Sequence, residues 1–175
     1  MWVFGFGSLM TDGWEKSFDC IQRVTADLKG YRRAFNKASV SNWGTRDCPC
    51  PTLNLVSEAD AHCLGIAFEF SEAQRGEAEA YLALREGRSF KLTYLEVVVM
   101  GSGTLQALVP LYSGKNLIRS PDTQTIIESV HQASGSSGKC IDYVFGIYDQ
   151  LEKLGINDLA VTQMRDLLCK VRLDL

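Results

Sequence analysis

A chain of 175 residues, 46% hydrophobic and 22% charged, holds enough apolar material for one packed domain and too little length for two of ordinary size. Its net charge of -3 offers no basic field to a nucleic-acid backbone, and no apolar run approaches the roughly 20 residues that span a bilayer. The start lacks the basic flank of a secretory signal and residues 2–6 are too short for its apolar core, so the expectation is a single cytoplasmic domain over 1–175.

In chain order, residues 2–6 read as a buried strand that runs into GFGSLM at 5–10. Three readings suit that glycine-broken strand: a nucleotide-binding turn, a plain tight turn with Phe6 and Leu9 packed inward, or a cradle of backbone N–H groups for a small anion. Against the first, Met10 stands where a dinucleotide fingerprint needs its third glycine, and no regular βαβ unit follows. Residues 21–28 and 30–39 read as two further strands, the second carrying Tyr31 and Phe35 among cations. A loop stiffened by Pro49 and Pro51 leads over 45–55 into a short strand, and CLGIAFEF at 63–70 is a strand rich in aromatic and β-branched residues.

At Ser71 the period changes. Ser71 with Gln74 fits a capping box and starts a helix reaching about residue 85, with Ala73, Ala80, Tyr81 and Leu84 as its apolar stripe. Residues 92–100 and 104–112 pair as a hairpin through Gly101 and Gly103. Ser120 as N-cap and Pro121 at the first helical position open another helix. The GSSG at 135–138 connects it to a third helix from Cys140, ended by Gly155, and Asn157 caps a fourth reaching about residue 170. Strands first and helices last, with one helix inserted, indicate an α+β fold on a largely antiparallel sheet, open or closed, rather than a doubly wound one.

Cysteines 20, 48, 50, 63, 140 and 169 are scattered and read as reduced thiols, several of them core residues. Cys48, Cys50, His62 and Cys63 do not match zinc-ligand spacings, so no metal is expected. GSSGK at 135–139 has two residues between its glycines where a phosphate-binding loop has four, and Cys140 where Ser or Thr belongs. With His62 and His131 the only histidines, and no nucleophile elbow, a serine or cysteine triad has no support; His131 lies within a helical pattern and reads as structural. Glu86 stands at the end of the predicted helix before a glycine, where a carboxylate either points into a cleft or is simply solvated.

VFGFGSL at 3–9, GYRRAF at 30–35, Gly44-Thr45, CLGIAFEF at 63–70 and YLALRE at 81–86 follow one another, and the chain closes with ASGSSGKCIDYVFGIYDQLEKLGINDL. This ordered set resembles the ChaC-like γ-glutamylcyclotransferases over nearly the whole chain. The resemblance implies a small mixed or antiparallel β-barrel with flanking helices, and release of 5-oxoproline from a γ-glutamyl compound, in the ChaC branch from glutathione. It places the substrate loop on Gly5, Phe6, Gly7, Ser8, Leu9 and Met10, and the general acid/base on Glu86. Related readings are activity on other γ-glutamyl amino acids or γ-glutamylamines, and a non-catalytic binding module of the same fold. Three features depart from the family pattern: Phe6 replaces a common tyrosine, Trp43 precedes Gly44-Thr45 where many members have arginine, and EGRSF at 86–90 is shorter and more basic.

The implied reaction fits what is missing. The substrate's own α-amine attacks its side-chain carbonyl and closes a five-membered lactam, so neither an enzyme nucleophile nor a metal or cofactor is expected. What remains for the protein is orientation, proton transfer and charge stabilisation. Leu84 and Phe90 are expected to give Glu86 apolar cover, and Trp43, Arg46 and Arg88 to line the leaving-group side. The expected partner is a small molecule alone, with no nucleic acid or membrane, and no sequence feature sets an oligomeric state.

Overall fold

The computed structural model describes residues 1–99, 101, 103–119 and 122–173, without the side chains of 171–173. Five strands come before the last three helices: β1 (Trp2–Gly5), β2 (Gln22–Ser39), β3 (Cys50–Glu69), β4 (Phe90–Val99) and β5 (Gly103–Tyr112). They close into a barrel in the order β1–β3–β2–β4–β5. The barrel is mixed. β1 runs antiparallel to β3, with Trp2 opposite Glu69 and Gly5 opposite Ile66, but parallel to β5, with Trp2 opposite Ala107. β4 and β5 form the expected hairpin over ten residue pairs, from Phe90 opposite Tyr112 to Val99 opposite Gly103; Gly101 and Gly103 take φ of 81° and 83° in the turn, a conformation favoured by glycine.

The chain divides into two compact units, Met1–Arg32 with Leu55–Lys115 and Arg33–Asn54 with Asn116–Leu175. In the first, Val3, Phe4, Ala26, Phe68, Val97 and Val109 are buried to within 1% and form much of the barrel core. The two strands expected at 21–28 and 30–39 are one, because Gly30 at φ 76° carries the chain through the break. In the same way β3 absorbs the late part of the expected 45–55 loop and the strand at 63–70, passing Asp60 at φ 63°. The polar stretch around Glu58, Ala59 and Asp60 is exposed, and a strand tolerates it on a solvent-facing stretch.

Helix α1 (Arg75–Glu86) follows a 3₁₀ turn at Glu72–Gln74. The capping box does not form: the Ser71 side chain makes no cap hydrogen bond, and its backbone carbonyl accepts from Gln74 N at 3.1 Å. The expected stripe is also out of phase. Ala78 and Leu82, four apart, are the buried residues, while Leu84 is 85% exposed.

The second unit carries α2 (Thr123–Gln132), the two-residue strands β6 (Ser134–Gly135) and β7 (Gly138–Lys139), α3 (Cys140–Lys153) and α4 (Leu159–Leu173). The expected Ser120-Pro121 start lies outside the described residues; Asp122 is the N-cap, its carboxylate accepting from Thr125 N at 2.9 Å. α3 ends as its glycine predicts, with Gly155 at φ 67° donating to Glu152 O at 2.9 Å and Ile156 donating to Leu151 O at 2.9 Å, the Schellman pattern. Asp158, not Asn157, caps α4: its Oδ1 accepts from Val161 N at 3.1 Å, and its Oδ2 lies 2.9 Å from Nη1 of the buried Arg33. Asn157 instead accepts from the Thr162 hydroxyl at 3.3 Å.

Cys50 and Cys140 form a disulfide with Cα atoms 5.5 Å apart, both residues fully buried. This corrects the reading of all six cysteines as thiols; Cys20, Cys48, Cys63 and Cys169 keep theirs. The pairing spans 90 residues, a separation from which spacing alone predicts no partner. Among the described residues no helix is long and apolar enough to cross a membrane.

Candidate active site

The glycines after β1 serve different ends. A Cβ on Gly5 would stand 3.1 Å from Leu9 Cβ and 3.3 Å from Leu9 C, so the return of the chain onto itself is tight and a side chain there would push on Leu9. Gly65, beside Ile66 on β3, is under a stricter constraint, since a Cβ there would run into Gly5 O and the Phe4 ring. Gly7 has no such neighbour: nothing lies within 4 Å of a Cβ placed on it, and its φ of -131° is outside the left-handed region.

Directly after Gly7 the chain turns into a 3₁₀ helix at Ser8–Met10, closed by Met10 N donating to Gly7 O at 2.9 Å and Thr11 N to Ser8 O at 3.4 Å. The N–H groups of Ser8 and Leu9, at its start, have no partner within the turn. Phe6, Leu9 and Met10 are buried at 6%, 4% and 0% exposure, while Ser8 is exposed and Gly7 partly so. The six residues expected to form the substrate loop therefore divide: Gly7 and Ser8 face outward, and the other four shape the turn from behind.

Two side chains absent from the sequence reading bind this loop to α1. Trp14 donates its indole N–H to Leu9 O at 3.0 Å and stacks on Tyr81 of α1, ring centres 5.8 Å apart and planes 5° from parallel. One turn beyond Tyr81, Arg85 donates from Nη1 to the Tyr81 hydroxyl at 3.2 Å and from Nη2 to the Ser8 hydroxyl at 3.1 Å. The same Nη2 pairs with the Asp12 carboxylate, and Nε lies 3.4 Å from Glu86 Oε1. Burial opposes the Arg85 charge, but the hydrogen bonds to Tyr81 and Asp12 and the charges of Asp12 and Glu86 outweigh it, so the guanidinium stays firmly protonated.

Glu86 is the last residue of α1, its side chain 17% exposed. Gly87 ends the helix at φ 74° and donates to Ala83 O at 3.0 Å, which sets where the final turn stops. The apolar cover expected from Leu84 is not there. Leu84 is two residues from Glu86, about 200° round the helix, and faces solvent. Phe90 packs edge-on against Tyr112 at 5.1 Å.

Ser8, Arg85 and Glu86 are thus brought together within the first unit, whereas Trp43 and Arg46 belong to the second, where Trp43 packs on Tyr143 at 5.3 Å. Arg88 is exposed. The Tyr81/Arg85 spacing of four before Glu86 was the available signal for that part of the network; nothing local pointed to Asp12. Among the described residues no group of three or more His, Cys, Asp or Glu side chains is placed to hold a metal ion. His62 instead pairs with Asp27 at 2.7 Å.

The family model described as ChaC-like protein matches residues 1–173. The chain is 30% identical to Gamma-glutamylcyclotransferase 2-3 of Arabidopsis thaliana, over 94% of this chain and 86% of that protein. It is 27% identical to the Glutathione-specific gamma-glutamylcyclotransferase of Escherichia coli K12, over 98% of this chain and 73% of that protein. In fold it is similar to the crystal structure of the yeast γ-glutamyl cyclotransferase specific to glutathione, with a TM-score of 0.83 at 18% identity over 97% of this chain and 96% of that one.

Proposed function

The chain belongs to the ChaC-like protein family, and on that premise we propose that it is a γ-glutamylcyclotransferase acting on glutathione, with Glu86 as general acid/base. The observation that carries this reading is the placement of Glu86 at the capped end of α1, joined through Arg85 to the outward-facing Ser8. A binding module needs no positioned proton carrier; a cyclase does.

The reaction proceeds within the substrate. The α-amine of the γ-glutamyl group attacks the side-chain carbonyl carbon, the new C–N bond closes the five-membered ring, and the bond to the cysteinyl nitrogen breaks. An ammonium cannot attack, so Glu86 takes a proton from the amine and returns one to the departing nitrogen, releasing 5-oxoproline and Cys-Gly. Gly7 and Ser8 offer the substrate a bare backbone and a hydroxyl, and the start of the 3₁₀ turn offers N–H donors to the developing oxyanion. Gly5, Phe6, Leu9 and Met10 hold that surface in shape. Because the nucleophile arrives with the substrate, the mechanism calls for no metal, cofactor or covalent intermediate. The same reading takes 1–175 as one γ-glutamylcyclotransferase-like domain of the cytoplasm, with a small molecule as its partner.

Incubation with glutathione, γ-glutamylalanine and γ-glutamyl-lysine, with 5-oxoproline quantified, tests the proposal. Glutathione is expected to give the highest kcat/KM. A clear preference for the lysine compound reassigns the substrate, and no 5-oxoproline from any of the three overturns the activity.

A further inference from the structure

Arg85 stands at a junction that the chemistry of cyclisation does not itself demand. Its guanidinium meets Tyr81 on its own helix, Ser8 and Asp12 on the loop after β1, and Glu86 at the helix end. These acceptors diverge, and a planar fork of five N–H donors suits them where the single point charge of a lysine does not. The side chain is only 23% exposed, although its partners Ser8 and Asp12 lie at the surface.

The pairing with Glu86 is also lopsided. Nη1 is engaged by Tyr81 and Nη2 by Ser8 and Asp12, which leaves Nε, at 3.4 Å, as the approach to Oε1. A two-pronged ion pair between Arg85 and Glu86, which would lock the carboxylate as a spectator anion, does not form in this arrangement. Glu86 occupies the last helical position, and the backbone leaves the helix at Gly87, so its carboxylate stands beside the end of the helix next to Arg85. The 3.4 Å contact gives the carboxylate a direction, while Asp12 shares the guanidinium charge.

We infer that Arg85 is a positioning residue: it joins the Ser8–Met10 turn to the last turn of α1 and aims the Glu86 carboxylate, with Asp12 as its counter-charge. This rests on the reading of Glu86 as the acid/base.

The test measures kcat, KM and thermal melting with glutathione for Arg85→Ala, Arg85→Lys and Glu86→Gln, and repeats the assays with added methylguanidinium. Misaiming a reacting group by about an ångström costs on the order of 10²-fold, so Arg85→Ala is expected to lose about that in kcat, with KM rising far less. Methylguanidinium is expected to restore part of its kcat with saturation and to do nothing for Glu86→Gln. A folded Arg85→Ala with parental kcat, or one that methylguanidinium does not rescue, overturns the inference. Should Arg85→Ala not fold, Arg85→Lys decides: a fall in kcat with unchanged melting supports the role, and parental kcat refutes it. If Glu86→Gln itself stays active, the acid/base assignment fails and takes this inference with it; if Glu86→Gln is inactive while Arg85→Ala is not, the inference alone fails.

Discussion

Gly5 and Leu9 approach so closely that a methyl on Gly5 would sit 3.1 Å from Leu9 Cβ, whereas a methyl on Gly7 meets nothing within 4 Å. Two glycines two residues apart are thus held for opposite reasons. Gly5→Ala is expected to lower stability by roughly 1–3 kcal/mol through overpacking. Gly7→Ala is expected to melt close to the parent and to lose kcat/KM, since its methyl enters the space where the substrate backbone would lie. Melting curves and steady-state kinetics on both variants check the division; a Gly7→Ala protein with parental turnover removes Gly7 from the substrate surface.

Glu86→Gln keeps the shape of the side chain and removes its proton-carrying capacity. The expected loss in kcat is about 10²- to 10⁴-fold with melting unchanged. A variant that retains most of the parental kcat shows that the proton is carried elsewhere.

The Cys50–Cys140 bond closes a separation of 90 residues, and a loop of that size restricts the unfolded chain strongly. Replacing both with serine is expected to cost about 2–5 kcal/mol, read from denaturant midpoints. The same shift should follow when the parent is unfolded under reducing conditions, and the double variant should then be indifferent to reductant. Equal midpoints for parent and variant under oxidising conditions would show that the bond contributes nothing.

Asp122 has a distinct pH signature. Hydrogen bonds from the Thr125 hydroxyl and backbone N–H hold its carboxyl below the ordinary value of 3.8. A carboxyl depressed in the folded state stabilises above its unfolded value, and that contribution fades as pH falls through the folded value. Asp122→Ala is therefore expected to melt below the parent at neutral pH, with the gap closing under acid below pH 3.8. A gap that is constant across this range would place the effect of Asp122 outside its charge.

Much of the local architecture was legible in the residues. Glycines 101 and 103 marked the hairpin, Gly155 marked the end of α3, and Glu86 before Gly87 marked a carboxylate at a helix end. Each of these signals is settled by neighbours within about four positions, the reach of a turn or a cap. Where a local signal failed, a local competitor had won: Asp158 in place of Asn157 at α4, and a phase set by Ala78 and Leu82 in α1.

What the sequence by itself determined, then, was the strands-first, helices-last order, the glycine-broken first strand, the carboxylate of Glu86 at a helix end and the family those pieces resemble. Tertiary structure alone decided that β1 pairs parallel with β5, that Gly30 and Asp60 carry strands onward, that Cys50 meets Cys140, and that Asp12 and Ser8 meet Arg85. The physical reason is range. Turns and caps are fixed by short-range sterics and hydrogen bonds. The Ser8–Arg85 hydrogen bond and the Cys50–Cys140 disulfide instead join residues 77 and 90 positions apart, and only closure of the barrel and packing of the helices bring such residues within bonding distance.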